Sequence, residues 1–226
     1  MKRYTQAEFD AFERDEKGVK YCPTGDYSQI ENFGDRCIFG ECCSFGECCS
    51  FGERCSFWEC CSFGRLCNFG KCCRFGDRCS FGDRCSFGER CCFEEWCSFG
   101  ECCEFGECCS FGECCSFEKW CSFEECCSFG KRCSFGEQCS FGKRCDFEGI
   151  GRAKPGYPFA AWIGAGSRKG SKTYFFNLEQ GIYVRCGCFS GTLPEFREKV
   201  RETHGTDGLA GEYLAIADLV ERKFAE

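Results

Sequence analysis

The chain has 226 residues, a formal net charge of -7, 28 phenylalanines and 31 cysteines. That acidic balance argues against a nucleic-acid groove, which needs concentrated Lys and Arg. No apolar run approaches the ~20 residues of a membrane span, and the length accommodates one or two domains.

Residues 1–32 read as an N-terminal cap. Thr5-Gln6-Ala7-Glu8 is a capping-box pattern, and Phe9 with Phe12 supplies an apolar stripe, which together predict a helix of about two turns. Its expected task is to cover the open end of the element that follows, since an exposed sheet edge invites strand addition. Cys22-Pro23-Thr24-Gly25-Asp26 is a turn that leads into the next element.

From Phe33 to Asp146 one six-residue phrase, F-G-E-C-C-S with variations, occurs nineteen times without an insertion. Phe opens every hexad and Cys fills every fifth position, from Cys37 to Cys145. Period six is a multiple of two and not of 3.6, so each fifth-position Cys and the Phe two residues later share one face of an extended strand. The repeat at 33–148 therefore predicts a β-solenoid, with Phe and Cys inward and the third, fourth and sixth positions facing water. The glycine common at the second position is expected to supply backbone freedom at the corners.

This phrase resembles the hexapeptide repeat of left-handed β-helices: a large aliphatic residue, then Gly, Ala, Glu or Asp, two free positions, a small residue and a free one. Phe33-Gly34-Asp35-Arg36-Cys37-Ile38 fits that template with Phe in the large place and Cys in the small one. The resemblance implies a mainly β fold, a left-handed triangular prism of about six coils, with eighteen residues per coil. Phe in place of Leu, Ile or Val demands a wider or differently packed interior. Many hexapeptide-repeat proteins are trimeric acyltransferases and some are zinc carbonic anhydrases, which use histidines on or near the coils. The single histidine here, His204, lies far beyond the last repeat, so the resemblance carries no activity with it and the chain is expected not to be an enzyme.

Inward cysteines are small buried fillers suited to a reducing cytoplasm. The odd cysteine count, the regular spacing and an N-terminus without an apolar signal core oppose a disulfide framework. Eight further cysteines occupy the outward fourth position, and an eighteen-residue coil sets Cys42 beside Cys60 and Cys108 beside Cys126. Adjacent Cys-Cys residues point to opposite strand faces and do not chelate as C-x-x-C does, so neither a metal nor a cofactor is expected. Glu53-Arg54 and Asp77-Arg78 are solvated charge neighbours. Trp58, Trp96 and Trp120 break the polar surface and mark either a contact surface for another chain or ordinary packing, with Trp96 and Trp120 on different faces.

Residues 149–158 read as a Gly/Pro-bearing linker and 159–226 as a small α+β domain. Candidate strands are 159–164, 172–178 and 182–188, with Glu179-Gln180-Gly181 as a hairpin turn. Thr192-Leu193-Pro194-Glu195 opens a helix ended by Gly205, and Leu209, Tyr213, Ile216, Val220 and Phe224 recur at helical spacing in a second. Arg185-Cys186-Gly187-Cys188 would place both thiols on one strand face, and His204 would cap a helix C-terminus. The basic loop G-S-R-K-G-S-K at 166–172 is suited to an anion, with Arg168, Lys169, Ser171, Lys172 and Arg185 as candidate ligands, although a merely solvated loop fits the same residues.

Through Thr173-Tyr174-Phe175-Phe176-Asn177, Ile182 to Phe189 and Gly191 to Phe196, this tail is similar to a C-terminal module of uncharacterised bacterial and phage proteins. The resemblance brings no activity and implies a phage or prophage origin. The sequence thus points to a cytoplasmic, non-enzymatic scaffold that presents a recognition module, assembled with a protein partner or with itself as a dimer or trimer. Two alternatives stand beside it: an oligomeric sponge for an anionic small molecule such as a nucleotide, and a counter-defence protein inhibitor.

Overall fold

The computed structural model describes residues 1–136, 138–154, 159–163 and 172–225. In the repeat, the last residue of one hexad and the Phe that opens the next form a short strand, and a corner follows. Strands eighteen residues apart pair in parallel and in register, as Ser62 and Phe63 do with Ser80 and Phe81, which in turn pair with Ser98 and Phe99. Three hexads therefore close one coil, and the chain forms a three-sided parallel β-solenoid of about seven turns.

The turn beyond the hexads comes from the head. Lys20–Cys22, Asp26–Tyr27 and Asn32–Gly34 make an irregular first coil paired with Cys37–Phe39, Ser44–Phe45 and Ser50–Phe51. Its open side is covered by helix α1, Gln6–Asp10, whose Thr5 and Glu8 form the expected capping box. Phe9 meets Phe33 edge-on at 5.1 Å and lies parallel to Phe39 at 6.4 Å, while Tyr4 stacks on Tyr27 at 4.9 Å. The ammonium of Lys20 donates to the Phe9 carbonyl at 2.8 Å and sits 4.2 Å over its ring, which satisfies a buried cation.

Phenylalanine fits the prism because three rings meet at its centre edge to face. Phe63 and Phe69 are 5.0 Å apart at 87°, and the ring one coil away stacks, as Phe63 does with Phe81 at 4.9 Å and 2°. Both arrangements suit the quadrupole of the ring. The fifth-position thiols are buried beside them, and from Cys55 onward they donate to the second-position carbonyl of the coil before, as Cys91 does to Gly70, Cys97 to Gly76 and Cys103 to Gly82, at 3.4, 3.4 and 3.5 Å. Cysteine is thus a small filler that also satisfies a backbone acceptor, beyond the filler role expected of it.

The corners work differently from the expectation. Backbone freedom is used at the fourth position, where all nineteen residues, none of them glycine, have φ between 53° and 62°. Second-position glycines are required instead by close approach: a Cβ on Gly82 would lie 2.8 Å from the Arg65 amide and the Gly64 carbonyl carbon. The non-glycines at this position, Trp58, Glu94, Glu118 and Glu124, each have glycine one coil before and one coil after. Third-position aspartates reinforce the corners, since Asp77 and Asp83 accept from the Glu95 and Glu101 amides one coil on, at 2.9 and 3.0 Å.

After Asp146–Phe147, Gly151–Arg152 turns back antiparallel on the same face. The tail is a four-stranded antiparallel sheet, Phe159–Ile163, Lys172–Leu178, Gly181–Cys186 and Phe189–Thr192, followed by α2, Leu193–His204, and α3, Gly208–Ala225. The last strand was not expected. The two thiols do not share a strand face, because Gly187, at φ 62°, and Cys188 form a two-residue hairpin turn between Cys186 and Phe189. α2 opens with the predicted capping box and ends at Gly205. In α3 Tyr213 and Val220 are buried with Ala210 and Ala217.

This sheet is buried on both sides. Phe175 and Val184 face α2 and α3 in one core, whereas Phe176 and Leu178, with Tyr174 and Tyr183 packed against them, join the core of the solenoid. Phe176 lies 5.2 Å from Phe147, the last ring of the repeat, and Lys154 and Glu179 exchange backbone hydrogen bonds with Asn177 and Arg152. The tail therefore closes the C-terminal end of the prism. No helix among the described residues is long and apolar enough to cross a membrane.

Candidate functional site

Strand alternation sets the site. With Val184 turned to the helices, Tyr183 and Arg185 point to the solenoid side of the sheet, and the hairpin partner of Arg185, Ser190, lies beside them. The coil below contributes Lys131 and Arg132, the third and fourth residues of a hexad. Between sheet and coil is a cleft of about 270 Å³ lined by these five residues, by Glu148 and Ile150, and by the buried Phe135, Phe147 and Phe176.

Charge in the cleft is predominantly positive. Lys131 reaches Glu148 at 3.4 Å, with both side chains exposed. Arg132 and Arg185 have no ion-pair partner among the described residues. Tyr183 and Ser190 hydroxyls lie 2.9 Å apart, and burial raises the nearby Tyr174 hydroxyl above its ordinary value, with Arg185 opposing. Two guanidiniums without an ion-pair partner among the described residues, beside two hydroxyls, can hold a small anion.

Of the candidate anion ligands, Arg168, Lys169 and Ser171 lie outside the described residues, and Lys172 is the first residue of a strand, paired with Ile163. Arg185 alone is placed in the cleft. Lys131, Arg132, Tyr183 and Ser190 were not foreseen. The 183/185 alternation was readable, but nothing in the sequence says which coil that face meets.

A second cleft, of about 410 Å³, lies in the tail among Cys186, Cys188, Phe189, Lys199, His204 and Tyr213. Cys186 accepts a hydrogen bond from the Thr173 hydroxyl at 3.2 Å, and His204 stacks on Tyr213 at 5.8 Å near Asp207. No group of three metal-binding side chains occurs among the described residues.

On the prism, one corner carries the fourth-position column Cys42, Cys60, Arg78, Trp96, Cys114 and Arg132, joined coil to coil by amide-to-carbonyl bonds such as Arg78 to Glu95 and Trp96 to Glu113. Trp58 is a second-position residue on this corner, and Trp120 belongs to the next one. Trp58 and Trp96 are both 56% exposed. Trp120, 50% exposed, donates its indole N–H to Gln138, with Lys119 6.0 Å over its ring. The Cys42/Cys60 and Cys108/Cys126 pairs fall side by side as expected; partial burial, then the charge of the neighbouring thiolate, raises Cys60 and Cys108 above the ordinary thiol value.

Comparison with protein-family models, curated proteins and solved structures gives no match.

Proposed function

We propose that the protein is a non-enzymatic scaffold: a rigid hexapeptide-repeat prism that holds its α+β tail in fixed orientation and offers a tryptophan-bearing corner to a protein partner or to further copies of itself. The observation that carries this reading is a single hydrophobic core running from Tyr4 and Phe9 through every coil to Phe176 and Leu178. A tail joined to the prism by a shared core transmits position along the axis. Exposed Trp58 and Trp96 on one corner supply the large amphipathic contacts that interfaces favour. The tail's likeness to a bacterial and phage module favours a phage structural or accessory role in the host cytoplasm.

Native mass spectrometry of the reduced protein purified from expressing cells tests this. The expected result is a homo-oligomer or a protein complex that Trp58→Lys with Trp96→Lys loses while the chain stays folded. A wild-type chain that is monomeric and free of protein partners overturns the scaffold reading. A second reading, capture of an anionic small molecule, is favoured by the guanidiniums of Arg132 and Arg185 in the junction cleft, which have no ion-pair partner among the described residues.

A further inference from the structure

We infer that the stacked outward thiols of Cys108 and Cys126, and those of Cys42 and Cys60, are two-coordinate sites for a soft monovalent cation of the Cu(I) class. The inference stands apart from the scaffold reading and from the junction cleft.

The thiols are brought together by the coil and not by the local sequence. Strand register brackets each pair: Phe105 pairs with Phe123 and Ser110 with Ser128 around Cys108 and Cys126, and Phe39 with Phe57 and Ser44 with Ser62 around Cys42 and Cys60. All four cysteines are exposed and share one backbone conformation, with φ between 56° and 61°. Their side chains therefore leave the corner in the same direction, one coil apart. The Cys60 thiol interacts directly with that of Cys42, and Cys108 electrostatically with Cys126. Sequence neighbours in a Cys-Cys step point to opposite strand faces and make no such contact.

Spacing and ligand number select the ion. A metal–thiolate bond is ~2.3 Å, so a linear S–metal–S unit spans ~4.6 Å, close to the ~4.8 Å between neighbouring strands. Among the described residues no group of three metal-binding side chains occurs, so the tetrahedral site that Zn(II) takes is not formed. Two soft thiolates suit Cu(I) instead.

The flanking charge fits the product. On binding, two thiols give their protons to solvent and two sulfur–copper bonds form with no change in oxidation state, which leaves a complex of net charge -1. Arg90 lies one coil before Cys108 and Arg144 one coil after Cys126, and Arg78 one coil after Cys60. Amide-to-carbonyl bonds hold this column rigid, from Arg90 to Glu107 at 2.8 Å, Cys108 to Glu125 at 2.9 Å and Cys126 to Lys143 at 2.9 Å. Arg90 and Arg78 act on the Cys108 and Cys60 thiols and favour their charged forms. Glu107 and Glu59 oppose them, but carboxylate oxygens are hard donors that do not compete for the ion.

The other fourth-position cysteines are an internal control. Cys72, Cys102 and Cys114 have Arg or Trp one coil to either side, and Cys48 has Leu66 one coil on.

Anaerobic titration of the full chain, reduced with a phosphine, against Cu(I) held by the chromophoric chelator bicinchoninate tests the sites. Cys126→Ser and Cys42→Ser should each withdraw one equivalent of Cu(I) per chain less than the wild type, and the double variant two less. Cys72→Ser should withdraw as much as the wild type. All other thiols are common to these variants, so the differences count the pairs, and far-UV circular dichroism checks that each variant keeps the solenoid. X-ray absorption at the copper edge should show two sulfur neighbours. Uptake unchanged in both pair variants, an equal loss in Cys72→Ser, or three or more sulfurs per copper would overturn the inference. Zn(II) retained in place of Cu(I), and lost in the pair variants, would overturn the choice of ion.

Discussion

Replacing the inward thiols of one coil separates two roles for cysteine. Cys91, Cys97 and Cys103 are fully buried, and each donates to a second-position carbonyl at 3.4 to 3.5 Å. Cys→Ala removes about one methylene's worth of buried apolar volume, ~0.8 kcal/mol. It also strips a partly buried acceptor of its donor, at ~1 kcal/mol. Summed over the three sites, the triple alanine variant should lose roughly 5 kcal/mol. Serine is the informative control. If thiols act only as apolar filler, Cys→Ser buries a hydroxyl for no gain and must cost more than alanine. If the bond to the carbonyl matters, serine keeps it and costs no more than alanine. Guanidinium unfolding under reducing conditions, followed by circular dichroism, measures the difference. A triple serine variant clearly less stable than the triple alanine one would refute the hydrogen-bond argument.

Other consequences are as direct. Arg84, exposed and at φ 57°, occupies a conformation that Asn tolerates better, so Arg84→Asn should stabilise by about 1 kcal/mol in the same assay, and a loss would contradict the corner assignment. The Asp26 carboxyl is held down to about 2 by the Ser28 hydroxyl and amide and by Arg3, and that of Glu8 to about 2 by the Thr5 amide, Lys2 and the Thr5 hydroxyl. Their folded values lie below the unfolded ones, so this stabilisation of the head is complete above pH ~5 and is lost as pH falls through ~2. Carboxyl titration by NMR should find both midpoints near 2, and Arg3→Gln should raise that of Asp26 alone. Cys42 and Cys60 lie on adjacent coils, where a strand spacing of ~4.8 Å is within disulfide reach. Oxidised glutathione should link them, releasing two glutathione thiols per bond, whereas Cys48, which has Leu66 and no cysteine at the corresponding place one coil on, should form only mixed disulfides; peptide mapping distinguishes the two.

The solenoid was legible because its information is local and periodic. Phe every six residues and Cys at every fifth position fix strand faces and core without reference to anything distant, the eighteen-residue coil follows from the resemblance to hexapeptide repeats, and the capping boxes at Thr5 and Thr192 mark their helices equally well. The corner was misread for a physical reason: the glycines are needed by contacts between coils, and the positive φ is imposed on Arg, Cys and Trp by a stack that outweighs their local preference. The candidate site depended on tertiary structure throughout. Arg185 is near Lys131 and Arg132 only because the far face of the tail sheet has hydrophobic residues that need cover, and the open end of the prism has rings that need the same. A sequence specifies that both surfaces are apolar; which hexads they bring to the cleft is decided when the two surfaces close on each other.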